Sequence, residues 1–181
     1  CLKAIPQSEL DAGVRVIDVG TGAGFPGLAL KILCPEIRLT LLEATRKKVT
    51  FVRHLVETLA LKEVEAIHGR AETLGQDPLY REQYDWALAR AVAEMPALAE
   101  YLLPLVRVGG AALAQKGEGA AAEVQRAGAA IKTLGGRVRQ LVPVELRGIA
   151  ETRYLVVVDK VAATPEKYPR RPGMPRKSPI T

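Results

Sequence analysis

Hydrophobic positions along the chain alternate between the two periods of regular structure. Val14 to Val19 (Val-Arg-Val-Ile-Asp-Val) is a β-branched run ending in a glycine cluster, the pattern of a buried strand. Phe25 to Cys34 reads as a helix, with Pro26 suited to its first turn and Pro35 stopping it. Ile37 to Leu42 is a second strand, closed by Glu43. Arg46 to Leu61 is an amphipathic helix, because Val49, Val52, Val56 and Leu59 recur at helical spacing. Further apolar runs predict strands at Val64–His68, Asp85–Leu88 and Gly110–Gln115, with a helix over Pro96–Val106 between the last two. Val124, Ala127, Ile131 and Leu134 line one face of another helix, which Gly135-Gly136 terminates. Val138–Leu146 and Tyr154–Val161 are the closing strands, with no helix between them.

Strand and helix in alternation predict a parallel sheet covered on both faces. The closing strand pair adds an antiparallel edge. The expected architecture is α/β, of the class I S-adenosylmethionine-dependent methyltransferase fold. That fold is Rossmann-like, a seven-stranded, mostly parallel sheet with an antiparallel last strand. The expected organisation is a residual N-terminal segment over 1–12, the domain over 13–163 and a basic, proline-rich arm over 164–181, read as extended. Because the chain opens on Cys1, the rest of an N-terminal region is expected to be missing.

The first strand runs into Asp18-Val19-Gly20-Thr21-Gly22-Ala23-Gly24. Glycines there let the backbone turn tightly and let a ligand approach closely, beside a helix N-terminus. Glu43 ends the second strand 23 residues after Gly20, where a carboxylate can accept both hydroxyls of an adenosine ribose. Gly22-x-Gly24-x-x-Gly27 also matches the dinucleotide fingerprint. A dehydrogenase is disfavoured because Asp18 falls inside the strand and a strand pair replaces a second βαβ unit. Glycines that merely make a tight turn are the remaining alternative.

Composition changes the picture little. Of the 181 residues, 48% are hydrophobic and 25% charged, the balance of a soluble globular domain. No apolar run approaches the ~20 residues of a membrane helix. Cys34 sits in an apolar run and reads as a small core residue. No disulfide framework or metal motif appears, so a reducing cytoplasm is the expected setting. The net charge of +6 favours a polyanionic partner, and Pro165 to Thr181 holds five basic residues against one acidic. Arg46, Lys47, Lys48 and Arg53 on one helix, Lys116 at the sheet's active edge, and Arg170, Arg171, Arg176 and Lys177 in the tail are the candidate phosphate-contacting, RNA-binding residues. Aromatics are only 4%, which suits recognition of RNA shape over base stacking. His54 and His68 read as surface or core histidines, not catalysts.

The string Asp18-Val-Gly-Thr-Gly-Ala-Gly-Phe-Pro-Gly27 resembles the first motif of the RsmG/GidB family of ribosomal RNA methyltransferases. The resemblance continues at Arg46-Lys47-Lys48, Gly69-Arg70-Ala71-Glu72, Ala89-Arg90-Ala91-Val92, Gln115-Lys116-Gly117 and Tyr168 to Ile180. It implies S-adenosyl-L-methionine as cofactor and methylation of N7 of one guanine in the 16S ribosomal RNA of the small subunit, by a monomeric cytoplasmic enzyme without a metal. It further implies cofactor contacts from Gly20, Gly22, Gly24 and Phe25. Glu43, Ala44 and Thr45 would hold the ribose, and Ala71 and Glu72 would border the adenine. Arg90 would stand where cofactor meets substrate, and Arg90 and Lys116 are candidates for positioning the substrate. A methyltransferase for another RNA or a small molecule, and a non-catalytic nucleotide-binding module, are the alternatives.

No general base is assigned. N7 of guanine carries a free in-plane lone pair at neutral pH, so attack on a sulfonium methyl needs alignment and exclusion of water, not prior proton removal. An Asn/Asp-Pro-Pro-aromatic pattern for exocyclic amines is absent after the fourth strand, where the sequence is Ala89-Arg90-Ala91. A cysteine nucleophile for carbon-5 methylation is absent there too.

Overall fold

Strand β1 (Arg15–Val19) is buried from Val16 onward, as expected of a strand covered on both faces. It is followed by α1 (Gly27–Leu33), β2 (Arg38–Glu43), α2 (Arg46–Thr58), β3 (Val64–His68), the short α3 (Ala71–Leu74), β4 (Tyr84–Arg90) and α4 (Met95–Leu102). Then come β5 (Val106–Lys116), α5 (Ala120–Arg126), α6 (Gly128–Thr133), β6 (Gly136–Val144), β7 (Arg153–Lys160) and α7 (Met174–Lys177). The computed structural model describes residues 1–145, 148 and 151–181.

The strands form one seven-stranded sheet in the order β3-β2-β1-β4-β5-β7-β6. Neighbours from β3 to β5 are parallel, and β7 runs antiparallel to both β5 and β6. The antiparallel last strand is therefore as expected, but it lies inside the sheet and leaves β6 at the edge. Ile17 and Val19 of β1 join the core beneath α3 to α6, whereas Val16 joins the core shared with α1, α2 and Ala4, Ile5 and Leu10. Strand alternation thus assigns one set of side chains to each helical layer. The chain reverses its direction of winding between β1 and β4, which opens a crevice at the strands' C-terminal ends.

Several boundaries differ from the pattern reading. The helix expected over Pro96–Val106 stops at Leu102 and Val106 already belongs to β5, because Pro104 has no amide to continue it. The single helix through Val124 and Leu134 is two, α5 and α6, jointed at the buried Ala127. The apolar face carries across the joint, which is why its period looks unbroken. Strand β4 runs on through Arg90, and α2 ends at Thr58 before Ala60 turns into the left-handed region. The expected end of β6 at Leu146 lies outside the described residues.

The basic arm is irregular for most of its length but is not free. The Arg81 guanidinium donates to the carbonyls of Gly75, Thr164 and Tyr168 at 2.6–2.7 Å. Buried Lys160 donates to Leu103 O and Thr164 Oγ1, both at 2.6 Å, and pairs with Glu82 at 2.8 Å. Met174–Lys177 then forms α7. Among the described residues, no helix is long and apolar enough to cross a membrane, and no cluster of His, Cys, Asp or Glu is arranged to hold a metal ion.

Candidate functional site

A cavity of about 630 Å³ opens at the C-terminal ends of β1, β2 and β4, within the ~300–1,000 Å³ usual for small-molecule sites. Its floor is Val19, Gly20 and Leu42, its walls Glu43 and Ala44 on one side and Ala91 and Val92 on the other. Arg70, Ala71 and Glu72 follow, and Tyr101, Gly173, Arg176 and Lys177 close the far end.

The glycine loop forms the floor by conformation. Gly20 holds φ at +69°, and a Cβ there would stand 2.7 Å from Val92 Cγ2. A side chain would both strain the backbone and fill the space between loop and Val92. Gly22 plays another part, donating its amide to Glu43 Oε2 at 3.1 Å. The other carboxylate oxygen, Oε1, accepts from the Thr45 amide at 2.8 Å. Glu43 is therefore fixed, 7% exposed and on the cavity wall. Each oxygen keeps a lone pair for a ligand hydroxyl.

Beneath this floor lies Asp18, fully buried in β1. Its Oδ2 accepts from Thr21 Oγ1 at 2.7 Å and from the Gly27 amide at 2.9 Å, while Oδ1 has no partner among the described residues. Burial pushes its carboxyl up to about 6, against the pull of those two hydrogen bonds and of the Arg90 charge. The Gly27 position admits no side chain, since a Cβ would lie 2.9 Å from Asp18 Oδ2. The glycine fingerprint is thus partly a packing device that lets α1 sit on a strand carboxylate.

Of the expected cofactor residues, Gly20, Glu43, Ala44, Ala71 and Glu72 line the cavity together. Gly22 and Thr45 stand one step back as donors to Glu43. Gly24 is buried against Leu28 and is a packing position. Phe25 and Arg90 are outside the lining. Phe25 is 49% exposed, and the Arg90 guanidinium lies over its ring at 5.5 Å, in cation–π contact.

The basic candidates separate into three kinds. Arg46, Lys47, Lys48 and Arg171 are exposed. Arg176 and Lys177 are also exposed, but they line the cavity. Lys116 and Arg170 are engaged by protein carboxylates, and Arg53, itself exposed, is engaged by a backbone carbonyl. Arg53 donates to Ala66 O at 2.8 and 3.2 Å, tying α2 to β3. Lys116 pairs with Glu123 at 2.6 Å and donates to Ala93 O at 2.9 Å, with only 10% of its side chain exposed. Arg170 grips Glu100, whose side chain is fully buried, through Nε and Nη2. The tail's charge run concealed a structural ion pair.

Sequence reasoning did not assign Arg70, Ala91, Val92, Tyr101 or Gly173 to the site. Ala91 adopts φ +54° immediately after β4, which turns Ala91 and Val92 into the cavity. Tyr101 looks like a core residue of α4 in the pattern, and it is 9% exposed, with burial raising its hydroxyl above the usual range. His68 is outside the lining, its Nε2 3.0 Å from Ala44 O. Cys34 is a buried core residue, as its setting indicates.

Comparison with known proteins narrows the chemistry. A family model described as rRNA small subunit methyltransferase G matches residues 1–150. The ribosomal RNA small subunit methyltransferase G of Pelotomaculum thermopropionicum is 51% identical over 180 residues, covering 99% of this chain and 74% of the relative. That of Roseiflexus sp. strain RS-1 is 54% identical over 170 residues, covering 94% and 72%. Among solved structures, an rRNA methylase from Streptococcus thermophilus superposes with a TM-score of 0.63 at 18% identity, covering 86% and 91% of the two chains. The [4+2]-cyclase SpnF superposes with a TM-score of 0.67 at 16% identity, covering 85% and 78%. Such distant structural likenesses establish the fold alone, and function has to be read from the site.

Proposed function

Since the chain belongs to the rRNA small subunit methyltransferase G family, a ribosomal RNA methyltransferase family whose fold implies a methyl donor of the S-adenosylmethionine type, we propose that the donor is S-adenosyl-L-methionine bound in the cavity and that the acceptor is N7 of a guanine in 16S ribosomal RNA. The observation that carries this reading is the cavity at the β1/β4 reversal, with Glu43 and Glu72 on its walls and Gly20 as its floor.

The residues fit such a donor. Gly20 leaves the close approach that a side chain would block. Glu43, held by two amides, presents acceptors for the ribose hydroxyls. Glu72 accepts the Gly173 amide on Oε1 at 2.8 Å, which leaves Oε2 for the exocyclic amine of an adenine. Arg90, beside Phe25 at the end of β4 and outside the cavity lining, stands where the substrate would meet the donor. When bound, the donor supplies an electrophilic methyl group on a sulfonium. The protein's task is then to align the guanine and exclude water, because the N7 lone pair needs no base. The exposed Arg46, Lys47, Lys48 and Arg171 supply sequence-independent contacts to RNA phosphates around that base. The base itself has to be exposed or flipped to reach the cavity. On this reading the enzyme works in the cytoplasm on the small ribosomal subunit, as a monomer.

The test is transfer of a labelled methyl group from S-adenosyl-L-methionine to small subunits from a strain lacking the gene. Borohydride–aniline treatment, which cleaves RNA at 7-methylguanosine, maps the product. A single new cleavage in 16S ribosomal RNA is the expected result. Labelled RNA that resists cleavage would reject N7 as the acceptor. Donor binding without any RNA labelling would reject the ribosomal substrate.

A further inference from the structure

The tail that looks like an RNA-binding arm is built into the cofactor cavity. Gly173, Arg176 and Lys177 line it, and the Gly173 amide holds Glu72 Oε1 at 2.8 Å. The segment is anchored on both sides of this contact. Upstream, Arg170 pairs with buried Glu100 at 2.7 Å and its own amide donates to Glu100 Oε1 at 2.7 Å. Downstream, Pro175 is buried in α7. Between and beyond these anchors the same few residues carry Arg171, Arg176 and Lys177, all exposed and without an ion-pair partner among the described residues.

From this arrangement we infer that residues 170–177 are a shared element of both binding sites, so that RNA and methyl donor bind cooperatively. The inference rests on the reading of the cavity as the donor site and of the exposed tail cations as phosphate contacts. Arg176 and Lys177 line the same cavity as Arg70, so their mutual repulsion opposes the contacts that seat the segment on Glu72 and Glu100. RNA phosphates neutralise that charge and hold the segment down. With that charge neutralised the Gly173 amide stays on Glu72, so the donor meets a wall whose repulsion has already been offset. Reciprocity of linkage then requires the donor to tighten RNA binding by the same factor.

The experiment measures the affinity of S-adenosylhomocysteine, the stable product, with and without deproteinised small-subunit ribosomal RNA lacking the modification. The wild-type protein should bind the product at least fivefold more tightly when RNA is present. The paired substitution Glu100→Leu with Arg170→Met removes the anchor without leaving a buried charge, which such replacements generally tolerate. It should weaken product binding severalfold and bring the RNA effect close to one. A wild-type protein that binds both ligands independently overturns the inference, as does a folded double variant with the full RNA effect. Failure of the wild-type protein to bind either ligand would instead reject the donor or RNA reading beneath it. Amide exchange over 168–177 gives a readout that needs no variant. It should slow when either ligand is added, and unchanged exchange with both bound overturns the inference.

Discussion

Glu43 and Gly22 are joined behind the cavity wall, the Gly22 amide donating to Glu43 Oε2 at 3.1 Å. One carboxylate therefore braces the glycine loop and faces the cavity. Glu43→Ala should weaken S-adenosylhomocysteine binding by about 1–3 kcal/mol, the usual cost of losing hydrogen bonds to a charged group. Glu43→Gln retains an acceptor for the loop and should lose less. Calorimetric titration of both variants checks this, with thermal melts separating site loss from unfolding. Unchanged affinity in both variants would remove Glu43 from the ligand's contacts.

Asp18 gives the fold a pH signature. Its carboxyl titrates at about 6 in the folded protein against 3.8 for the ordinary group, because burial opposes its charge. The protonated form is favoured by folding, so this contribution to stability is present below pH 3.8 and is lost as pH rises through about 6. The full loss is on the order of 3 kcal/mol, at ~1.4 kcal/mol for each tenfold change in proton affinity. Asp18→Asn keeps an acceptor for Thr21 and Gly27 but cannot ionise. Its stability relative to wild type should rise between pH 4 and 7 and then level off. A difference curve from urea denaturation that stays flat over this range would mean that Asp18 titrates normally.

How far these roles were legible in the sequence depended on whether a residue acts through the backbone or through a distant partner. Glu43 and Gly20 were legible as cavity residues because a strand end and a tight turn, both local properties, put them there. Arg170 and Arg171 are adjacent and chemically identical, yet one is gripped by Glu100 and the other is exposed. Nothing within the tail separates them, since the partner lies 70 residues earlier. Tyr101 was hidden for the opposite reason. Its apolar neighbours on α4 mark a core face, and the cavity reaches that face only because the tail folds back beside it. The joint between α5 and α6 was masked by an apolar stripe that continues through it.

The division of the basic residues makes a separate prediction. Reversing Arg46, Lys47 and Lys48 to Glu should weaken RNA binding without altering the melting temperature much, and should flatten the salt dependence by about one unit of slope per lost phosphate contact. Arg170→Ala should instead unfold more readily, by about 3–5 kcal/mol, because it strands the buried Glu100 carboxylate. Filter binding across a salt series and denaturant titration distinguish the two. A stable Arg170→Ala protein that binds RNA weakly would restore Arg170 to the RNA surface.

Gly20 and Val92 offer a test of the cavity floor that separates two physical effects. Gly20→Ala must bear the left-handed backbone, costing about 1–2 kcal/mol, and also a Cβ placed 2.7 Å from Val92 Cγ2. Overpacking of that kind typically costs a further ~1–3 kcal/mol. Val92→Ala removes the second cost and leaves the first. The double variant should therefore be destabilised by less than the sum of the single variants, with a coupling of about 1 kcal/mol or more. Its affinity for S-adenosylhomocysteine should stay low, because the added methyl group still occupies the floor of the proposed donor site. Additive stabilities would mean that the loop moves away from Val92 on substitution. In that case Gly20 is needed for its backbone conformation alone, and the close approach between loop and wall sets nothing.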